Sequence, residues 1–398
     1  MTMNGFSLSY IAFSQTEIII LFVTAVLFLL GCLFNITVMM RCPHYAKLVR
    51  KGKVWFSAAR PAVSVVLYTE DNIEALKVSL PAILEQDYKS FEVIVVNDGA
   101  SETIKDYIKS LAPVYGNLYY TFIPVGAHSL SRKKLAITIG MKAAKYDIVA
   151  VTEAGCRPVS DKWLETMMRN FTTDIEIVIG NTSEVSDIRA KWYLDFYRLV
   201  FKMKFLGRAV INRAYMGEGS NMFFFKDLFF KTKGFSEHLD IVYGEDDVFI
   251  NRVMTRRNTR AEFSPEALVE NYCENNNSSI SEMRLRREFT QKLLKGASSL
   301  VLGCRKTVSW GFYISAVTSM VYGVVRGNAV MSLFALLLVV LWWLIESAVF
   351  RSNARVLSSP AKCSAAILYD IVSPVIDCRF RHMGRKTLIK NYTWRIKR

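Results

Sequence analysis

Phe91-Glu92-Val93-Ile94-Val95-Val96-Asn97-Asp98-Gly99 decides how this chain is read. The apolar run from Phe91 to Val96 is too short for a helix and suits a strand buried on both faces, as in a parallel sheet. It stops on a polar turn carrying an acid and a glycine. The pattern repeats outward in both directions. Val63-Ser64-Val65-Val66-Leu67 reads as the preceding strand, followed by a helix face of Ile73, Leu76, Leu80, Ile83 and Leu84, with Pro81 an irregularity. Leu118 to Ile123 gives a third strand and Leu135 to Ala144 a helix. Ile148 to Thr152 gives a fourth strand, ending on Glu153-Ala154-Gly155-Cys156. From Arg60 to about Glu270 the alternation is that of an α/β domain with a mostly parallel sheet. Ligands of such sheets gather beyond the carboxyl ends of the strands, where Glu70, Asp98 and Glu153 fall.

The flanks have a different character. The chain has 398 residues, 52% of them hydrophobic, and a net charge of +16. Its mean hydropathy of +0.20 is high for a wholly soluble protein. Ile18 to Met40 is long and apolar enough to cross a bilayer. It lacks the basic start and small-residue cleavage site of a signal peptide. Val308 to Val325 and Ala329 to Phe350, joined by Arg326-Gly327-Asn328, read as a membrane hairpin. Lys and Arg cluster at 41–53 and 379–398, whereas residues 1–17 hold none. The positive-inside rule therefore puts the domain and the tail in the cytoplasm. Basic residues beside apolar segments also favour membrane lipids as partners and disfavour a nucleic-acid binder. The division expected is an anchor with its basic flank (1–55), a catalytic domain (56–300), and a hairpin, a short segment at Ala365 to Val375 that is interfacial or packed under the domain, and a basic tail (301–398). The seven cysteines show no C-x-x-C or Cys/His metal spacing and read as free thiols. Asn170, Asn181 and Asn276 begin N-x-S/T sequences that cytoplasmic placement would keep unglycosylated.

Several stretches carry chemistry. Gly244-Glu245-Asp246-Asp247 runs into the helical spacing of Val248, Phe249, Ile250 and Val253. Adjacent acids repel, so one is tuned toward accepting a proton while the others face ligand, water or a cation. Ser131-Arg132-Lys133-Lys134 precedes a helix, and Gly217-Glu218-Gly219-Ser220-Asn221 forms a glycine-rich loop. Arg284, Arg286 and Arg287 crowd a basic helix over Ser281 to Lys295. Residues 190–206 mix aromatics with Lys and Arg, as a core helix with a solvated face or as a helix on the lipid surface.

In this order and spacing, the chain resembles bacterial membrane-anchored family 2 glycosyltransferases, inverting enzymes with the nucleotide-diphospho-sugar (GT-A) fold, over roughly residues 60–295. The resemblance implies that Glu70 and Asp98 hold the donor's base. It also implies that Lys134 approaches the donor, with Lys133 the other candidate to point inward. The family's D-x-D motif falls on Glu153-Ala154-Gly155, where Glu153 keeps one carboxylate and Gly155 has none. The implied cofactor is Mg²⁺ or Mn²⁺, held by Glu153 with phosphate oxygens and water, or with help from His128 or His238. Asp246 matches the catalytic base, flanked by Glu245 and Asp247. Gly217, Gly219 and Asn221 fall in the loop between donor and acceptor. Arg286 is assigned to the diphosphate, although the Q-x-x-R-W of processive relatives is absent.

The function expected is transfer of a sugar from a nucleotide-diphosphate donor to a lipid-linked saccharide or surface glycan at the bacterial inner membrane. The alternatives are a processive polysaccharide synthase and, because of Gly155, a non-catalytic membrane-bound binding or assembly subunit.

Overall fold

The computed structural model describes residues 13–99, 101–124, 131–185, 192–238, 241–272, 277–294 and 298–391. Helix α1 (Gln15–Phe34) passes through one wide turn, Asn35–Met39, into α2 (Arg41–Arg50). The α/β domain follows with β1 (Val63–Thr69), α3 (Ile73–Leu84), β2 (Phe91–Asp98), α4 (Glu102–Leu111), β3 (Leu118–Ile123), α5 (Arg132–Ala143) and β4 (Ile148–Glu153). Next come β5 (Cys156–Pro158), α6 (Trp163–Met168), β6 (Ile177–Gly180), β7 (Thr182–Glu184), α7 (Trp192–Ala209), β8 (Met222–Phe225) and α8 (Lys226–Lys231). The domain closes with α9 (Asp247–Val253), β9 (Thr259–Glu262), β10 (Val269–Asn271) and α10 (Asn277–Thr290). After it stand α11 (Ser298–Val325), α12 (Ala329–Val356) and α13 (Ala366–Asn391).

The main sheet has the order β3-β2-β1-β4-β8-β6-β9. Its β3-β2-β1-β4 half is parallel, and β8 runs antiparallel between β4 and β6. The chain steps outward from β1 to β3 and then returns to place β4 on β1's other side. That reversal puts the topological switch point, where such sheets open a crevice, between β1 and β4. Alternate residues feed two cores: Val63, Val65 and Leu67 pack with α3 and α6, whereas Val66 and Tyr68 join the cluster containing α5 and α7. A smaller sheet, β5-β10-β7, flanks the crevice.

The basic helix expected over 190–206 is a core element. In α7 even Arg198 and Lys202 are buried, because Glu184 lies 3.5 Å and 3.6 Å from their nitrogens. Phe196 of α7 contacts Phe350 of α12 and stacks on Tyr369 of α13, so the domain core is continuous with the membrane end. Three helices are long and apolar enough to cross a membrane, at Gln15–Met39, Gly303–Val325 and Ala329–Val356. They are tied near both ends. Asn328 donates to Glu17 at 3.1 Å, and Glu346 accepts from Asn35 at 2.9 Å and from Arg305 at 2.9 and 3.0 Å. The short segment expected at Ala365 to Val375, interfacial or packed under the domain, belongs to the start of α13. Its Asp370 is fixed by Arg305 at 3.1 Å and its Asp377 by Arg284 and Lys306, so charged anchors extend the helix past Pro374. Asn170 and Asn181 are buried, which removes both as glycosylation acceptors; Asn276 lies outside the described residues.

Helix α5 lies close on β1 because Gly140 has no side chain: a Cβ there would sit 2.3 Å from Val66 Cγ1. Gly140→Ala should therefore cost about 1–3 kcal/mol of stability through overpacking. Chemical unfolding of the purified protein measures this, and an unchanged midpoint would contradict the packing.

Candidate active site

The strand order brings Glu70, Asp98 and Glu153 to one edge, since β2, β1 and β4 are neighbours. Tyr68, near the end of β1, donates to Glu70 Oε1 at 2.8 Å and lies 3.4 Å from Asp98 Oδ2. Gly99 has φ +142°, and a Cβ there would meet the Asp71 carboxylate at 2.0 Å, so only glycine lets the turn close after Asp98.

Ser131 caps α5, accepting from the Lys134 N–H at 3.3 Å, and this fixes the phase of the basic residues that follow. Successive helical residues point about 100° apart, so the three cations separate. Arg132 pairs with Asp98. Lys133 Nζ lies 2.8 Å from both Glu153 Oε1 and Glu245 Oε1. Lys134 corrects the expectation: it is buried, and its Nζ donates to the carbonyls of His238 and Ile241 at 2.7 Å each. Lys134 thus holds the segment leading to Gly244, while Lys133 lines the cavity. His238 meets Lys134 through its backbone and does not line that cavity; His128 lies outside the described residues.

Gly244 has φ +97° and turns the chain so that Asp246 caps α9. Asp246 Oδ1 accepts the Asp247 N–H at 2.7 Å and Oδ2 accepts the Gly219 N–H at 3.1 Å. Gly219 lies between two acids: a Cβ there would stand 3.6 Å from Asp246 Oδ2 and 3.7 Å from Glu153 Oε1. Neighbouring acids diverge in proton affinity. Burial pushes Asp246 up to about 8, reinforced by Asp247 and Glu245. Burial also opposes ionisation of Glu245, but the Lys133 ammonium outweighs it and holds that carboxyl below its ordinary value. Lys133 is held well above its ordinary value, since Glu153, Glu245 and Asp246 outweigh its desolvation. Asp247 is buried and shifted upward by that burial.

The arginines of α10 go three ways. Arg284 pairs with Asp377 and is sandwiched between Tyr197 and Phe380. Arg286 sits at the rim, bonded to Glu282 at 2.6 Å and stacked on Tyr243. Arg287 points inward to Glu218 at 2.8 Å, its guanidinium 3.5 Å from the Phe201 ring centre. Gly217, Gly219, Glu245, Asp246 and Asp247 line a cavity of about 510 Å³ with Glu70, Glu153, Arg286 and Arg287. Asn221 does not. It is buried, donates to the Asn181 and Ala267 carbonyls at 2.9 Å and accepts from Trp163 at 3.0 Å, so it braces the loop from behind.

Tyr68 has no part in the sequence expectations, and Glu218 and Arg287 stand there only within their stretches, without a role of their own. Glu282, Met283, Arg286, Arg287 and Thr290 of α10 all line the cavity, so helical spacing in the sequence does not single out Arg287.

Side chains alone do not build a divalent-ion site here; the Mg²⁺ or Mn²⁺ expected at Glu153 would draw its other ligands from donor phosphate oxygens and water. Gly155 contributes no ligand, the Glu153 carboxylate already holds Lys133, and among the described residues no three His, Cys, Asp or Glu side chains cluster for a metal. Lys134→Met should lower stability by about 1–3 kcal/mol by orphaning two buried carbonyls. Thermal unfolding of the variant tests this, and an unchanged midpoint would contradict the brace.

Residues 63–231 match the model of the glycosyl transferase family 2. No curated protein matches the chain. Among solved structures, the mannosyltransferase PcManGT from Pyrobaculum calidifontis, in complex with GDP-Man and Mn²⁺, is 17% identical. The match covers 85% of this chain and 97% of that one, at a TM-score of 0.49. GalNAc-T7 with UDP, GalNAc and Mn²⁺ is 11% identical over 56% of this chain and 45% of its own, at a TM-score of 0.41. The family 2 match runs from β1 to α8, a stretch that carries Glu70, Asp98, Lys133, Glu153, Gly217 and Gly219 of this site.

Proposed function

We propose that the chain is an inverting glycosyltransferase that moves a sugar from a nucleotide-diphosphate donor to a hydroxyl of a lipid-linked saccharide or surface glycan at the bilayer. The observation that carries this reading is the convergence of Glu70, Glu153, Glu245 and Asp246 with Lys133 and Arg287 on one cavity at the sheet's switch point. Glu70 and Asp98 accept N–H groups of the donor's base. The diphosphate lies toward Lys133 and Arg287, with Arg286 at the entrance. The acceptor oxygen attacks the anomeric carbon from the side opposite the leaving group. Its bond to that carbon forms as the carbon–phosphate-oxygen bond breaks. The electron pair leaves with the nucleotide diphosphate, where Lys133 and Arg287 offset the new negative charge. Asp246 takes the hydroxyl proton. Two backbone N–H groups fix its carboxylate before substrate arrives. The domain faces the cytoplasm, and its membrane helices confine the search for acceptor to the lipid surface.

Transfer by the full chain in detergent, supplied with a panel of nucleotide sugars and Mg²⁺ or Mn²⁺, tests this. Asp246→Asn should reduce transfer by about 10²- to 10⁴-fold, the usual contribution of a positioned base, while donor affinity stays near that of the wild type. The base must be unprotonated to act, so the wild-type rate should fall as pH drops below about 8, where Asp246 gains its proton. If wild type and variant bind donor but are equally inert, the non-catalytic subunit suggested by Gly155 is the better account.

A further inference from the structure

Away from the catalytic cavity, Arg41 Nη1 and Tyr45 Oη are among the buried hydrogen-bond donors with no partner among the described residues. They lie one helical turn apart on α2 and so share a face. Buried donors left unbonded are rare and costly enough to call for an acceptor. Both side chains wall a groove of about 890 Å³ between α2, the end of α12 and residues 262–265. None of its lining residues is shared with the catalytic cavity.

The charge of the groove is one-sided. Lys47, Arg50 and Arg355 are exposed along it, and among the described residues none has a carboxylate partner. The groove has one acid in its lining, Glu262, and that acid is already committed. Its oxygens accept from Arg169 at 3.0 Å, Asn170 at 2.8 Å and Ser264 at 2.6 Å. Arg208 and Arg213 add to the positive field, and together with burial they lower the proton affinity of Arg41. The depth is equally specific. The spans Gln15–Met39 and Ala329–Val356 both end at the groove, which Ile36, Thr37 and Met40 line from one side and Ser352, Arg355 and Val356 from the other. That level is where hydrocarbon gives way to headgroups. Ile36, 70% exposed, and Met40 supply an apolar flank on the hydrocarbon side.

We propose that this groove is a binding site for an anionic phospholipid, with the headgroup phosphate accepting from Arg41 and Tyr45 and the acyl chain lying against Ile36 and Met40. Lys47, Arg50 and Arg355 select negative over zwitterionic headgroups. The bound lipid joins α2 to α12 beside the edge strand β9, and so fixes the catalytic domain's seat on the bilayer.

The test uses the full chain, stripped of lipid in a neutral detergent and titrated with phosphatidylglycerol, phosphatidylcholine or inorganic phosphate. Native mass spectrometry reads occupancy and thermal unfolding reads stabilisation. Phosphatidylglycerol should bind one per chain and raise the unfolding temperature, phosphatidylcholine should bind more weakly, and inorganic phosphate should do neither. Arg355→Gln should weaken phosphatidylglycerol about fivefold, the worth of one cation near a membrane surface. Tyr45→Phe should weaken it while the lipid-free protein stays folded. Arg326→Gln, at the far end of the hairpin, should leave binding unchanged. Equal affinity for the two lipids, stabilisation by inorganic phosphate alone, or wild-type affinity in both Arg355→Gln and Tyr45→Phe would overturn the proposal.

Discussion

The site depends on one ammonium group held between two carboxylates. Lys133 lies 2.8 Å from Glu153, at the end of β4, and 2.8 Å from Glu245, on the turn before α9. Without a cation between them, those acids and Asp246 would repel at short range, the more strongly because Glu245 is buried. With it, Glu245 is ionised, and the proton-binding role falls to Asp246. The rest of the domain supports this clamp. Gly140 lets α5 lie on β1, Ser131 sets the helix phase that aims Lys133, and Lys134 ties the approach to Gly244 back onto the same helix.

A second level of organisation couples the site to the membrane. Helix α7 is buried between the sheet and the membrane helices, and two of its buried cations, Arg198 and Lys202, are held by Glu184, which also lines the cavity. Arg287 rests on Phe201 of the same helix. The helix thus reaches from Phe196, on which α12 and α13 pack, to the cavity wall.

Much of this was legible in the sequence, and the failures have definite causes. The parallel half of the sheet, the acids at its strand ends and the membrane spans follow from hydrophobic runs long enough to carry a period. The short strands β6, β8 and β9 do not, since four residues cannot display an alternation. The resemblance points to Lys134 and leaves Lys133 open, because a helix turns by about 100° per residue and its phase is set by a cap whose position sequence locates only to within a residue or two. Assigning the diphosphate to Arg286 alone has the same origin. Asn221 was placed in the ligand loop by motif, yet a buried indole and two carbonyls claim its amide. The buried charges of α7 were ambiguous because their partner, Glu184, comes from a separate strand.

The central claim is that Lys133 and Glu245 are energetically coupled in the folded protein. A double-mutant cycle of Lys133→Met and Glu245→Gln, followed by equilibrium unfolding, measures that coupling directly. The account predicts an interaction energy of about 1–3 kcal/mol, the range for contacting charged partners. Strictly additive effects of the two substitutions would contradict it.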